Sequence, residues 1–339
     1  DILGLTSYCL IIFYSKLNSF NSGIITIILN RIGDVLLIII ISIIRIFGRW
    51  NLLLYDSSKI LILMLVLISF TKRAQFPFFI WLPIAIIAPT PVSSLVHSST
   101  LVTAGIYLII IYREILDIKY NILVIIFSSI IIFFSGIIAN IEIDFKKIIA
   151  FSTLRQLSFI ISIISMGLYE LAFLHLFIHA IFKSIIFICA GRFIHYIKGN
   201  QNFRIYKGIF YIYPIKRTII TISLIIICGF PFLVGFYSKD IIIESYICIK
   251  INILRFLLLI TGTILTISYS IRIIKTLISK SLSVNIIYTK ERTIINKVII
   301  TIIIIILFIR KIFFDIKFSL SNYNILYTYK YFVFKIFIL

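Results

Sequence analysis

A handful of ionisable side chains stand inside long apolar runs: Lys72, His97, His175, His179, Lys183, Lys239 and Asp240. A charge at the centre of a bilayer costs at least ~2.5 kcal/mol, so such residues need a reason to be there. Lysine shifts its proton affinity readily when desolvated, and histidine titrates near neutrality. Together they suit proton binding and hand-over. The segment "HLFIHAIFK" places His175, His179 and Lys183 at i, i+4 and i+8. That spacing keeps three groups on one helical face, drifting ~40° per step. A row of this kind facing lipid is hard to justify, so the face should look inward.

Each residue also has a plainer reading. Lys72 lies in "TKRAQFPFFIWLP", which is either a surface loop or a break inside the membrane. The stretch 59–70 gives only ~18 Å of helix, too short to cross alone, which favours the break. His97 lies ~12 Å into the span 89–112 and is as readily a core histidine bonded to a carbonyl. Lys239 and Asp240 follow the interrupted "CGFPFLVGFYSKD"; a polar helix end at the membrane surface is the alternative. Adjacent residues on a helix point apart, so these two need not pair. Arg31 and Asp34 in "NRIGD" are spaced to pair within one helix, structurally as readily as for transport. Asp144 suits a helix N-cap, and Lys146 with Lys147 suits a membrane edge. Cys9, Cys189, Cys228 and Cys248 all lie in apolar runs and read as small buried hydrophobes. No glycine-rich phosphate loop, nucleotide motif or cysteine set for an iron–sulfur cluster is present. His175 and His179 share one helix, which does not suit axial haem ligation.

These residues must be carried by a membrane scaffold. The chain has 339 residues, 61% of them hydrophobic, and a mean hydropathy of +1.17. Runs of the ~20 residues needed to cross occur repeatedly, and only helices satisfy their backbone at this hydropathy. The fold class is all-α: a polytopic transmembrane helix bundle of about ten spans. They are expected near 2–15, 22–47, 59–88, 89–112, 121–140, 146–167, 170–193, 218–249, 253–275 and 294–310. Two are over-long and interrupted. Residues 59–88 carry "TKRAQ", Pro77 and Pro83, and residues 218–249 carry Gly229, Pro231 and Gly235. A pair of discontinuous helices is the sequence sign of a transporter's ion site. Residues 1–310 form one transmembrane domain, and 311–339 look like a loop and the start of a further, truncated span. The formal charge of +21 sits mostly in short loops, where it sets topology and meets lipid headgroups rather than nucleic acid. The chain opens on Asp1 directly before an apolar run, as if cut at its N-terminus.

At these same residues the chain resembles a family. "TKRAQFPFFIWLPIAIIAPTPVSSLVHSSTLVTAGIYL", "DFKKIIAFSTLRQLSFI", "LAFLHLFIHAIFKSIIFICAG" and "GFPFLVGFYSKDIIIE" follow one another as in the subunit 5 family of the proton-pumping NADH:ubiquinone oxidoreductase, respiratory complex I. "LGLTSYCL" and "NRIGDV" precede them in the same order. The likeness runs from residue 1 to about 280. It implies an antiporter-like, proton-translocating subunit of the membrane arm, in the mitochondrial inner membrane. The neighbouring antiporter-like subunit 4 and lipids such as cardiolipin would be its partners. Lys72 resembles the lysine of the first broken helix, with Asp1 where the family has that lysine's acidic partner. His97 matches a connecting histidine. His175, His179 and Lys183 match the next polar helix, and Lys239 and Asp240 the second broken helix. The implied mechanism is an electrostatic relay: moving or screening Asp1 makes Lys72 release its proton toward His97 and Lys183. The chain would take part in the enzyme without redox chemistry or cofactor of its own; NADH, FMN, iron–sulfur clusters and ubiquinone belong to other subunits. About four spans would precede Asp1. A related alternative is the large subunit of a multisubunit cation/proton antiporter, and a third is a truncated chain that does not pump.

Arg73 fits none of these roles. Arg49, Arg73, Arg155 and Arg192 stand where the resembled family commonly has serine or another small residue. Ile86, Ile188 and Ile273 stand where it often has methionine, and the whole chain has two Met. Invertebrate mitochondria read AGA as serine, ATA as methionine and TGA as tryptophan. The expectation is an AT-rich mitochondrial gene read with the standard code, in which Arg73 is natively serine.

Overall fold

The computed structural model describes residues 2–46, 59–86, 88–94, 100–112, 118–197, 199–230, 233–248 and 253–279. Their regular elements are all helices, with no strand among the described residues. The chain divides into two compact units, Asp1–Gly191 and Arg192–Leu339.

In the first unit, α1 (Ile2–Ile11) runs into a 3-10 turn (Ile12–Tyr14) that ends at Ser15, a left-handed residue with φ of 46°. Helix α2 then runs from Leu17 to Ile46. It begins five residues earlier than the hydropathy suggests. The polar "LNSFNS" is its first turn rather than a loop. Ser19 donates to the Lys16 carbonyl at 2.6 Å and Ser22 to the Ser19 carbonyl at 2.8 Å. Hydroxyls bonded back one turn add no polar demand of their own, so the helix continues through them. Helix α3 (Lys59–Lys72) packs on α2 and on α6 (Leu101–Ile111). The short helices α4 (Trp81–Ala85) and α5 (Thr90–Val92) follow α3.

Helices α7 (Ile118–Ile141) and α8 (Phe145–Ile164) form a closely packed pair. Every residue of α8 except Lys147 is buried. A helix apolar and buried all round belongs at the centre of a bundle. By contrast α2 and α7 leave Ile24, Ile28, Ile38, Phe127 and Phe134 exposed. An exposed apolar stripe on a long helix is the surface that lipid covers. Helix α9 (Tyr169–Tyr196) begins in this unit.

The second unit contains a 3-10 turn (Phe203–Tyr206), α10 (Ile209–Ile212), α11 (Pro214–Cys228), α12 (Val234–Cys248) and α13 (Ile253–Ile278). Pro214 opens α11, where its missing donor is harmless, and left-handed Gly229 (φ 86°) closes it.

Among the described residues, five helical stretches are long and apolar enough to cross a membrane: Leu17–Arg45, Ile122–Ile141, Phe145–Ile164, Tyr169–Tyr196 and Arg255–Ile278. The chain is thus multi-pass. The span expected at 294–310 lies outside the described residues.

Candidate functional site

Lys72 is the last residue of α3. Beyond it the chain turns: Arg73 N–H bonds the Ser69 carbonyl at 3.2 Å and Gln75 N–H the Phe70 carbonyl at 3.0 Å. Ala74 takes a positive φ of 54°. The carbonyl of Thr71, freed at the helix end, accepts from Trp81 Nε1 at 3.0 Å. A freed backbone group that finds a partner makes a polar turn acceptable within apolar surroundings.

Lys72 Nζ pairs with Asp34 Oδ1 on α2. Arg31 Nη1 approaches the other oxygen, Oδ2, at 3.6 Å. The Asp34 side chain is 9% exposed, that of Lys72 18% and that of Arg31 41%. Asp34 is thus an acidic partner of Lys72; Asp1, which sequence reading named in that role, lies outside the described residues. The available signal was Asp34 itself, an acid in the middle of an apolar helix. Two glycines permit the geometry. A Cβ on Gly33 would meet Thr71 Oγ1 at 2.2 Å, and one on Gly105 would meet Arg73 Cγ at 2.9 Å.

The row on α9 is buried as a whole. His175 is 4% exposed, His179 2% and Lys183 1%. Lys183 Nζ donates to Ser152 Oγ of α8. His175 Nε2 faces Gln156 Oε1 at 3.3 Å, and its ring stands edge-on to Phe159 at 5.4 Å. Sequence reading did not single out Ser152 or Gln156, because a polar residue without charge raises no alarm in an apolar run.

In the second unit Lys239 is buried. Its Nζ donates to the Ile227 carbonyl, and to the Cys228 carbonyl at 3.3 Å. A cation against the last carbonyls of α11 is favoured by the helix dipole. It is not the exposed helix end that served as the alternative reading. The Asp240 side chain and His97 lie outside the described residues.

Three further expectations change. Lys146, at the start of the stretch Phe145–Ile164, is buried rather than exposed to headgroups, and its Nζ donates to the Ala88 carbonyl at 3.1 Å. Asp144 stands at the N-cap of α8 but makes no capping bond, pairing instead with Lys147 at 2.9 Å. Cys9 is exposed, and Cys228 is half-buried against Ser270 Oγ at 2.8 Å.

Residues 1–266 match the transmembrane family described as NADH:quinone oxidoreductase/Mrp antiporter. The chain belongs to this family. The matched stretch contains every ionisable residue placed above. Among curated relatives, NADH-ubiquinone oxidoreductase chain 5 of Apis mellifera ligustica is 52% identical over 291 residues, 86% of this chain and 52% of that protein. The chain 5 of Locusta migratoria is 46% identical over 281 residues, 80% of this chain and 49% of that protein. The chain thus spans about half the length of the curated relatives it matches. Two solved structures share the fold. The archaeal membrane-bound sulfane sulfur reductase, a respiratory membrane complex, aligns with a TM-score of 0.81 at 22% identity, over 92% of this chain and 67% of that one. The Mrp complex of Dietzia sp. DQ12-45-1b aligns with a TM-score of 0.72 at 24% identity, over 83% and 34%. Membership of the NADH:quinone oxidoreductase/Mrp antiporter family accounts for a membrane bundle that buries lysines and histidines instead of avoiding them.

Proposed function

We propose that the chain is a proton-translocating subunit of the membrane arm of NADH:ubiquinone oxidoreductase, coupling electron transfer from NADH to ubiquinone with proton pumping. The observation that carries this reading is the buried row His175–His179–Lys183 on one face of α9, in a chain of this family. Three titratable groups kept from lipid in one line make a path along which a proton can be held and passed on.

In this reading α3 with α4, and α11 with α12, are the halves of two discontinuous spans in a bundle of about ten. Lys72 sits at the first break and Lys239 at the second. His97 connects Lys72 to Lys183, and Asp240 stands next to Lys239. Asp34 attracts Lys72 by opposite charge, and Asp1 is a second acidic partner. Weakening that attraction frees the Lys72 proton. Residues 1–310 are the translocating domain. The chain holds no NADH, flavin, iron–sulfur cluster or ubiquinone of its own, and those sit in other subunits. Its place is the mitochondrial inner membrane, beside the antiporter-like subunit 4, with cardiolipin in contact.

Lys183→Met in the assembled complex tests the reading. We expect assembly without proton pumping; full proton stoichiometry in the assembled variant would refute it. Lys183→Arg should also fail, because Arg stays protonated. Copurification separates the sister function: flavin and iron–sulfur subunits support the oxidoreductase, small antiporter subunits a cation/proton antiporter.

A further inference from the structure

The polar row on α9 has a companion on α8. We propose that Ser152 and Gln156 are positioning residues for proton hand-over, with the Ser152 hydroxyl partnering Lys183 in both of its protonation states. This rests on the relay reading above.

Ser152 and Gln156 lie one helical turn apart on α8, and both are buried. Gln156 meets His175, and Ser152 meets Lys183. Those two contacts run in opposite chain directions, so α8 and α9 are antiparallel where they meet.

The Ser152 hydroxyl donates to the Ile149 carbonyl at 2.5 Å. Its lone pairs are therefore left for an N–H of protonated Lys183. Once Lys183 has passed its proton on, the neutral amine carries a lone pair. Rotation about the Cβ–Oγ bond then turns the hydroxyl from the Ile149 carbonyl toward Nζ. The proton stays on Oγ throughout; only its direction changes. The Ile149 carbonyl keeps its helical N–H partner, so the rotation strands no buried acceptor. A carboxylate in this place would bias Lys183 to the charged form. An uncharged hydroxyl holds the amine in place and favours neither state so strongly.

Gln156 does the matching job for His175: its amide oxygen faces Nε2 at 3.3 Å and orients the imidazole. Phe159, edge-on to the imidazole, holds the ring from the side.

The test uses the chain assembled in its membrane complex, with Ser152→Ala, Ser152→Thr, Gln156→Met and Lys183→Met compared side by side. Assembly is read by native electrophoresis and proton-coupled turnover in sealed vesicles. We expect Ser152→Ala to assemble and to lose coupled turnover by about tenfold, the size of one lost hydrogen bond to a charged group. Ser152→Thr, which keeps the hydroxyl, should return turnover to within about twofold, and Gln156→Met should lose several-fold. An assembled Ser152→Ala complex with unchanged turnover overturns the proposal. So does an assembled Ser152→Thr complex as impaired as Ser152→Ala, because the hydroxyl would then not be what matters. If Ser152→Ala fails to assemble, Gln156→Met decides, and unchanged turnover there overturns the proposal. Loss in Lys183→Met with no loss in the α8 variants refutes the positioning role alone; full pumping in Lys183→Met refutes the relay itself.

Discussion

Asp34 on α2 and Lys72 at the end of α3 are 38 residues apart in sequence and form an ion pair in the structure. The pair lies where α3 ends and the chain turns, with Arg31 against the second carboxylate oxygen. Both members are largely withdrawn from solvent. Removing one partner of such a pair leaves a charge poorly compensated, at about 3–5 kcal/mol when burial is complete.

Asp34→Asn keeps the shape and removes the charge. Proton-coupled turnover of the assembled complex should fall on the order of a hundredfold, as expected for loss of a group that tunes a proton donor. Asp1→Asn should do less. If Asp1→Asn is the more damaging of the two, the working partner of Lys72 is Asp1 and the Asp34 contact is structural.

Gly33→Ala should separate α2 from α3 beside the same pair. Its Cβ would lie 2.2 Å from Thr71 Oγ1, and that hydroxyl is tied to the Ile68 carbonyl at 2.8 Å. Overpacking of this kind costs about 1–3 kcal/mol. Thr71→Ala removes the obstructing oxygen, so the double variant should be milder than the sum of the two. Additive losses in thermal stability would show that the clash is absorbed elsewhere.

Gly235→Ala should be worse. Here the added Cβ meets backbone, 1.8 Å from the Ile226 carbonyl oxygen and 2.9 Å from its carbon. Backbone cannot rotate away, so α12 must shift from α11, and Lys239 loses the Ile227 and Cys228 carbonyls. The expected readout is loss of assembly, or of turnover in what assembles. A Gly235→Ala complex with wild-type turnover would mean that Lys239 does not depend on this contact.

The burial of Arg73 works against the fold. It is fully buried, its Nε bonds the Ser69 carbonyl at 2.9 Å, and its Nη1 and Nη2 make no hydrogen bond. Unsatisfied buried donors on a cation cost at least about 1–3 kcal/mol. Arg73→Ser and Arg73→Met should therefore raise the melting temperature of the detergent-solubilised complex, Arg73→Met more because it also fills the space. A lower melting temperature for both would give Arg73 a structural partner. The gene offers an independent check. AGA codons at 73 and 155 agree with a native serine, and CGN codons there exclude it.

The sequence by itself determined the medium, the helical class and the candidate residues. Hydropathy is summed along the chain and helical spacing is local, so neither needs a partner segment to be read. The row of His175, His179 and Lys183 was legible for that reason, as were the interruptions after Lys72 and after Cys228. Even there a local polar stretch misled: "LNSFNS" looked like a loop, yet its serines bond back into α2. Only the tertiary structure decided which groups meet. Asp34 became the partner of Lys72, Ser152 and Gln156 the partners of Lys183 and His175, and α11 carbonyls the partners of Lys239. Each of those pairings joins two helices, and the face one helix turns to another depends on packing that spacing within a single helix does not contain. Burial follows the same rule: Lys146 reads as an ordinary basic residue until neighbouring helices close over it.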